Sequence, residues 1–425
     1  MIADSNLSVG SPFASAESMS PYGTPFPMDE ILSPSIPKRI VFCESYPSVQ
    51  AAVNACAALG GGTVVVDSGI HETGPIHLKS HTCLHLKEGA VLRFSDRPSD
   101  YLPVVFTRWE GTECYNYSPL IYAIDCTDIA VTGTGTLDGN GNAWWPWKKL
   151  QQPGADRLYN AGASGTPVEE RIFGTEADAL RPSFIQFVRC SRVLLSDFTI
   201  TDGPQWTIHP VYCSEVTVRS VNVSTHGPNT DGLNPDSCRR VLIENCRFET
   251  GDDCIAINSG INEDGWRVGI PCEDIVIRNC RMTGGHGGLV IGSAESGNVR
   301  HIYACDCEID GPAQGIRLKS MRGRGGVVED VLFERIQIDN TPLEAILINM
   351  FYDASTVVPK TLTPPVFRRI MIRNVSGSGC GTAILLKGLP EQKLEDVILE
   401  DISIQAEQSF VSSDVSGLTL NHVMI

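Results

Sequence analysis

The sequence predicts an all-β chain folded as a single-stranded, right-handed parallel β-helix with a short N-terminal capping helix. One eleven-residue pattern, apolar at positions 1, 4, 6, 9 and 11, recurs at residues 190–200, 213–223, 238–248, 272–282, 299–309, 328–338, 394–404 and 415–425. Residues 367–377 fit at four of the five positions, and 126–136 form a degraded copy. Copies begin 21 to 39 residues apart, with Gly, Asn, Asp and Pro between them. Positions 4 and 6, then 9 and 11, alternate as strands do, and the three-residue step from 6 to 9 implies a bend. Short β-branched strands cannot each bury a face alone, whereas stacked coils can. Leucine-rich repeats would need a helical segment and regular leucines, and both are absent.

From the N-terminus, residues 1–38 lack periodicity and are rich in Ser and Pro, which reads as a tail or a strand-like arm laid along the body. Residues 39–425 form the β-helix domain. A helix is expected near 47–59, where Pro47 or Ser48 starts it, Ala and Val fill it, and Gly60 to Gly62 end it. It would cap the N-terminal end of the solenoid. Cys190, Cys213, Cys238 and Cys272 share position 1 of the pattern, and Cys246, Cys280 and Cys307 share position 9. They should stack on one another as small buried apolar side chains. Two connections are long, 139–182 and 259–271, and Trp144, Trp145 and Trp147 in the first suit either stacking on sugar rings or anchoring of the loop.

At roughly 150 residues per domain, 425 residues would suggest about three domains; the repeat makes them one. A net charge of −17 argues against nucleic acid and anionic membranes as partners, and no run of about 18 apolar residues suggests a membrane span. Residues 1–20 have neither a basic start nor an apolar run, which predicts a cytoplasmic protein, or a secreted or periplasmic one if a leader has been trimmed. Fifteen cysteines without C-x-x-C or zinc-like spacing fit a reducing compartment.

Between the copies lie Asn229-Thr230-Asp231-Gly232, Gly251-Asp252-Asp253, Gly285-His286-Gly287, Arg317-Leu318-Lys319 and, further on, Tyr352. Asp231, Asp252, His286, Arg317 and Tyr352 fall 18, 14, 14, 18 and 24 residues after the start of their own copies, hence on the third side of each coil. Five coils would thus present a polar row of roughly 20 Å, suited to an extended polymer. Asp231 and Asp252, on adjacent coils, should shift each other's pKa, and clustered carboxylates are what glycoside hydrolysis requires. A single Asp in a solenoid turn is ordinarily there for its tolerance of tight backbone; three carboxylates, a histidine and two cations on one face call for chemistry. Arg317, Lys319, Arg322 and Arg324 form a basic island with no acidic residue between Pro312 and Gly326, suited to an anionic ligand. His286 suits control of the acid's protonation.

These four ordered segments resemble the signature segments of the polygalacturonases, glycoside hydrolase family 28, over about residues 40–425. The resemblance implies a pectin-lyase-like solenoid in which 39–425 is the catalytic domain, hydrolysing α-1,4 galacturonosyl linkages of pectic poly- or oligogalacturonate with inversion and without metal or other cofactor. It assigns Asp252 as general acid, Asp231 and Asp253 as the pair activating water, and His286 as the histidine near the acid. Asn229, Arg317 and Lys319 become substrate-binding residues, with Tyr352 as a further counterpart and Arg322 and Arg324 completing the basic island. Asp252 and Asp253 can share a site only if the chain bends between strands there. The two long connections resemble the exo-acting bacterial branch. Two alternatives stand: a hydrolase releasing galacturonate from rhamnogalacturonan or xylogalacturonan fragments, and a calcium-dependent polyuronate lyase using the Asp cluster as a cation cage.

Overall fold

A strand of four to six residues buries a single row of side chains, so each repeated segment needs the coils before and after it. The computed structural model describes residues 20–352 and 359–425, and it sets the copies in parallel register. The sixth position runs from Leu195 through Val218, Ile243, Ile277, Ala304, Phe333 and Ile372. A second face stacks Ile200, Val223, Phe248, Met282 and Ile309. The third stacks Leu233, Ile255, Leu289, Ile316 and Ile346. All of these are buried and belong to one continuous core. The result is the right-handed parallel β-helix that the repeat predicts.

The bend falls where the pattern places it and also where it was not expected. Position 8 takes the left-handed backbone in Asp197, Ser220, Asn245, Asn279, Asp306 and Arg335, with φ between 53° and 74°. Position 3 does the same in Arg192, Glu215, Arg240, Asp274, His301 and Asp330, with φ between 52° and 58°. Such backbone costs a non-glycine residue about 1–2 kcal/mol and is easiest for Asn and Asp. Where Arg or His sits there, an acidic residue at the same position of a neighbouring coil meets it: Arg192 with Asp128, Arg240 with Glu215, His301 with Asp274 and Arg335 with Asp306.

The predicted cap is helix α1, Val49–Ala58, whose first turn is closed by the Ser48 hydroxyl accepting from the Ala51 amide at 3.1 Å. Residues 20–38 run extended along the body, while 1–19 lie outside the described residues. Phe26, Met28 and Ile31 cover Leu242, Val276, Tyr303, Leu332 and Met371, the outward-facing fifth positions of five coils. Ser35 then donates its amide to Asp128 at 2.8 Å. All fifteen cysteines are buried thiols, and three of those at position 1 donate to backbone carbonyls of the preceding coil, Cys213 to Phe187 and Cys238 to Pro210 at 3.2 Å and Cys272 to Pro235 at 3.6 Å.

The two long connections are helical, which their composition did not announce. The first carries α2, Gln152–Ala163, and the second α3, Asn262–Val268. A buried ion pair between Arg171 and Asp264 at 2.6 Å joins them, and Asp264 also accepts the amide of Glu113 at 2.9 Å. Glu113 belongs to an antiparallel hairpin, Val105–Trp109 with Thr112–Asn116. Hairpin, α2 and α3 therefore form one wall beside the third face. Among the described residues no helix is long and apolar enough to cross a membrane.

Candidate active site

The third face of the coils supplies the floor of the site. Gly232 donates to the carbonyl of Asp253 at 3.0 Å and His286 to that of Asp252 at 3.3 Å. Asp231 is thus in register with Asp253, one residue from the Asp252 neighbour expected from spacing. Asp252 and Asp253 lie in the turn between strands Arg247–Thr250 and Ile255–Ile257, not within a strand. The Thr250 hydroxyl holds the Asp252 carbonyl at 2.6 Å, and the Asp253 amide donates to the Asp252 carboxylate at 2.9 Å. Both carboxylates consequently reach the same side. Oxygens of Asp231, Asp252 and Asp253 come within 4.8 Å of one another.

The three carboxylates sit in different fields. Asp231 is buried, accepts from Asn234 at 2.9 Å, and is pushed well above the usual carboxylate range by burial and then by its two neighbours. Burial also raises Asp252, but the hydrogen bond from His286 at 2.9 Å and the charges of His286 and Lys319 outweigh it and leave it below the usual range. The same bond raises His286 above the ordinary histidine value, against burial. Asp253 holds two cations, Lys319 at 2.6 Å and Arg317 at 3.1 Å. Asn229 links the cluster to the body, donating to Asp252 at 3.4 Å and accepting from Arg181 at 2.8 Å.

Two cavities meet at Asp252. The first and smaller, about 230 Å³, is lined by all three aspartates and by Glu110, Tyr159, Trp206, Ile261, Ala294 and Arg324. The second, about 510 Å³, is lined by Lys148, His226, Asn229, Asp252, His286, Arg317, Lys319 and Tyr352, without Asp231 or Asp253. Asn229, Asp252, Lys319 and Tyr352 border both. Lys319 lies 5.5 Å over the Tyr352 ring, so the tyrosine joins the site as expected.

The basic island divides. Arg324 lines the smaller cavity, held by Asn262 of α3 at 2.9 Å, and Trp266 donates to its carbonyl at 2.8 Å. Arg322, expected beside it, lines neither cavity: Glu391 takes its guanidinium at 2.5 and 3.0 Å, over the Phe351 ring. The tryptophans anchor their loop. Trp144 is buried among Tyr101, Tyr117 and Trp147, and Trp145 donates to Gly203 at 2.9 Å. Sequence reasoning missed Glu110, Tyr159, Trp206, Lys148 and His226. Of these only His226, three residues before Asn229, carried a signal by adjacency.

Three carboxylates this close form a donor set for a hard cation, yet two of them already carry fixed partners. Lys319 and Arg317 use both oxygens of Asp253, and His286 and Asn229 those of Asp252. The arrangement suits proton transfer to and from a bound polar substrate.

Comparison with known proteins gives both a family and a set of solved structures to which this chain is similar. A family model described as glycosyl hydrolases family 28 matches residues 173–420. The chain is 28% identical over 377 residues to a probable polygalacturonase of Vitis vinifera, covering 85% of this chain and 71% of that one. The solved exopolygalacturonase of Thermotoga maritima superposes with a TM-score of 0.86 at 38% identity, covering 92% of this chain and 94% of its own. A family 28 exopolygalacturonase of Yersinia enterocolitica, at 21% identity and a TM-score of 0.70 over 91% of this chain and 76% of its own, shares the fold. With the model spanning more than half of the chain and a relative matched nearly end to end, the chain belongs to family 28 of the glycosyl hydrolases and is a glycoside hydrolase.

Proposed function

We propose that the protein removes single galacturonate units from the non-reducing end of poly- and oligogalacturonate. One observation carries this reading: Asp231 and Asp253 line only the smaller cavity, whereas Asp252 lines both. The attacking water must approach the anomeric carbon of the sugar that lies beside the base, and the acid must reach the leaving oxygen between the two sugars. The unit being released therefore occupies the smaller cavity, and the rest of the chain extends along the larger one. At about 230 Å³, below the ~300–1,000 Å³ of drug-sized ligand sites, the smaller cavity suits one ring. Family membership and the exo-acting solved relative agree with it.

In the reactive form Asp252 carries the catalytic proton, and Asp231 and Asp253 face the water that gives one up. In the free protein burial and the two neighbouring carboxylates hold Asp231 above the usual range while His286 holds Asp252 below it, so substrate binding has to shift the proton toward Asp252, through a water relay where the oxygens stand beyond direct hydrogen-bond reach. Asp252 then protonates the leaving O4 as the C1–O bond breaks. Water supplies its oxygen to C1 and its proton to the Asp231–Asp253 pair, and attack from the face opposite the leaving group inverts the anomeric centre. Lys319, Arg317 and Arg324 receive the uronate carboxylates. A reducing compartment would suit the fifteen buried thiols; fractionation of the native cells tests that placement.

Product analysis from the first minutes of digestion tests the activity. Monogalacturonate as the first product from polygalacturonate, appearing as the β-anomer by NMR from an α-linkage, is expected. An early ladder of mixed oligomers overturns exo action, and an α-anomer overturns inversion.

A further inference from the structure

Glu110 lines the smaller cavity and not the larger one. It stands at the tip of the hairpin with φ 41°, a backbone that costs a glutamate energy and persists only where its surroundings fix it. Gly111 fixes it: an added Cβ there would come within 3.1 Å of Ile261, whose amide donates to the Gly111 carbonyl at 3.2 Å. The carboxyl is aimed by two donors on different segments, the Tyr159 hydroxyl at 2.7 Å and the Gln205 amide at 2.9 Å. Gln205 is itself held by Trp109 at 2.9 Å. Among the described residues no ion pair reaches Glu110: burial raises its carboxyl above the usual range, Tyr159 and the more distant charges of Lys148 and Arg181 oppose that, and the like charge of Asp252 adds to it.

A carboxyl without a cation is a poor partner for the carboxylate of a uronate and a good acceptor for sugar hydroxyls, with lone pairs left after two hydrogen bonds. Arg324 and Lys319 serve the uronate's charge from the other wall. One hydroxyl of the bound ring separates a chain end from a chain interior: O4 is free on the terminal unit and substituted on every other. We propose that Glu110, aimed by Tyr159 and Gln205, accepts a hydrogen bond from the free O4 of the terminal galacturonate and so selects chain ends. This rests on the placement of the terminal unit in the smaller cavity. Glu110 is a specificity-determining residue that moves no proton of the reaction.

The test compares trigalacturonate with a trimer whose terminal unit is unsaturated between C4 and C5 and so lacks O4. Wild-type protein should prefer the saturated trimer about 10- to 100-fold in kcat/KM, the range of a hydrogen bond to a charged group. In Glu110→Ala the preference should collapse to about threefold or less, by loss on the saturated trimer alone, and in Glu110→Gln it should fall part of the way. Tyr159→Phe, which leaves the carboxyl but removes one of its donors, should lower the preference in the same direction. An unchanged preference in Glu110→Ala and Tyr159→Phe, with both substrates slowed equally, overturns the proposal. If wild-type protein released no monogalacturonate from the saturated trimer, the exo reading itself would fall instead.

Discussion

Lys319 places its ammonium 2.6 Å from the Asp253 carboxylate, with 7% and 3% of the two side chains exposed. The same residue lines both cavities, so one side chain faces the substrate space and pairs with a carboxylate of the cluster. In Lys319→Met, Asp253 would keep Arg317 as its remaining cation. Losing one preorganised donor at the reacting groups sets the expectation of a kcat at least about 100-fold lower, beyond any rise in KM. Arg317 is longer, at 3.1 Å, and 16% exposed, so Arg317→Met should raise KM about tenfold with a smaller effect on kcat. Steady-state kinetics on trigalacturonate separate the two; a Lys319→Met kcat within threefold of wild type sinks the dual role.

His286 and Asp252 shift each other in opposite senses, the histidine up and the carboxyl down. Replacing His286 with Asn removes the cation that draws the proton off Asp252, so Asp252 keeps it to higher pH. The alkaline limb of kcat/KM, which reports loss of the catalytic proton, should move upward by about one pH unit, while the plateau falls. A limb that stays put or moves down would show that the pair is not what sets it.

The charge of the aspartate cluster is balanced by side chains. A divalent ion would have to displace Lys319 and Arg317 from Asp253 and His286 from Asp252. Dialysis against a chelator should leave activity within about 20% of the starting value, on the assay noise expected for saturating trigalacturonate. The products should show no ultraviolet absorbance from a C4–C5 double bond. Activity restored by calcium after chelation would reopen the lyase alternative.

The fold could be read from the pattern because its information is local and repeated. Asn, Asp and Ser at position 8 announce a backbone that few other residues tolerate. The bend at position 3 was equally encoded, by the three-residue step from 1 to 4, but Arg192, Glu215 and Arg240 disguise it, since their left-handed backbone is sustained by partners one coil away. The three aspartates, His286 and the basic pair were readable because each lies 14 to 20 residues after the start of its own copy, past the eleven-residue pattern and on the third side of its coil. Glu110 was not, for it reaches the site from a hairpin 121 residues before Asp231, and only the landing of that hairpin on α2 and α3 gives it a role. Arg322 and Arg324 look alike in sequence; Glu391, 69 residues after Arg322, decides between them.

Glu295 lies behind the lining of the smaller cavity, and its Oε2 would be 2.9 Å from a Cβ placed on Gly292, which lines that cavity. It is wholly buried, bonded to the Ser320 hydroxyl, with Oε2 unpartnered. Burial pushes it from 4.5 up to about 8. Between those values the folded protein holds a proton that the unfolded chain has released, so stability falls as pH rises, by up to about 1.4 kcal/mol per pH unit. Below 4.5 both states are protonated and nothing is lost. Glu295→Gln keeps a polar partner for Ser320 and has no proton to lose. Thermal melts of the two proteins should nearly coincide near pH 4.5 and diverge as pH rises, with the variant the more stable by a few kcal/mol at pH 8. Parallel curves across that window would mean that Glu295 is ionised in the folded protein, and that its charge is met by Arg324 and Lys319 across the floor of the cavity.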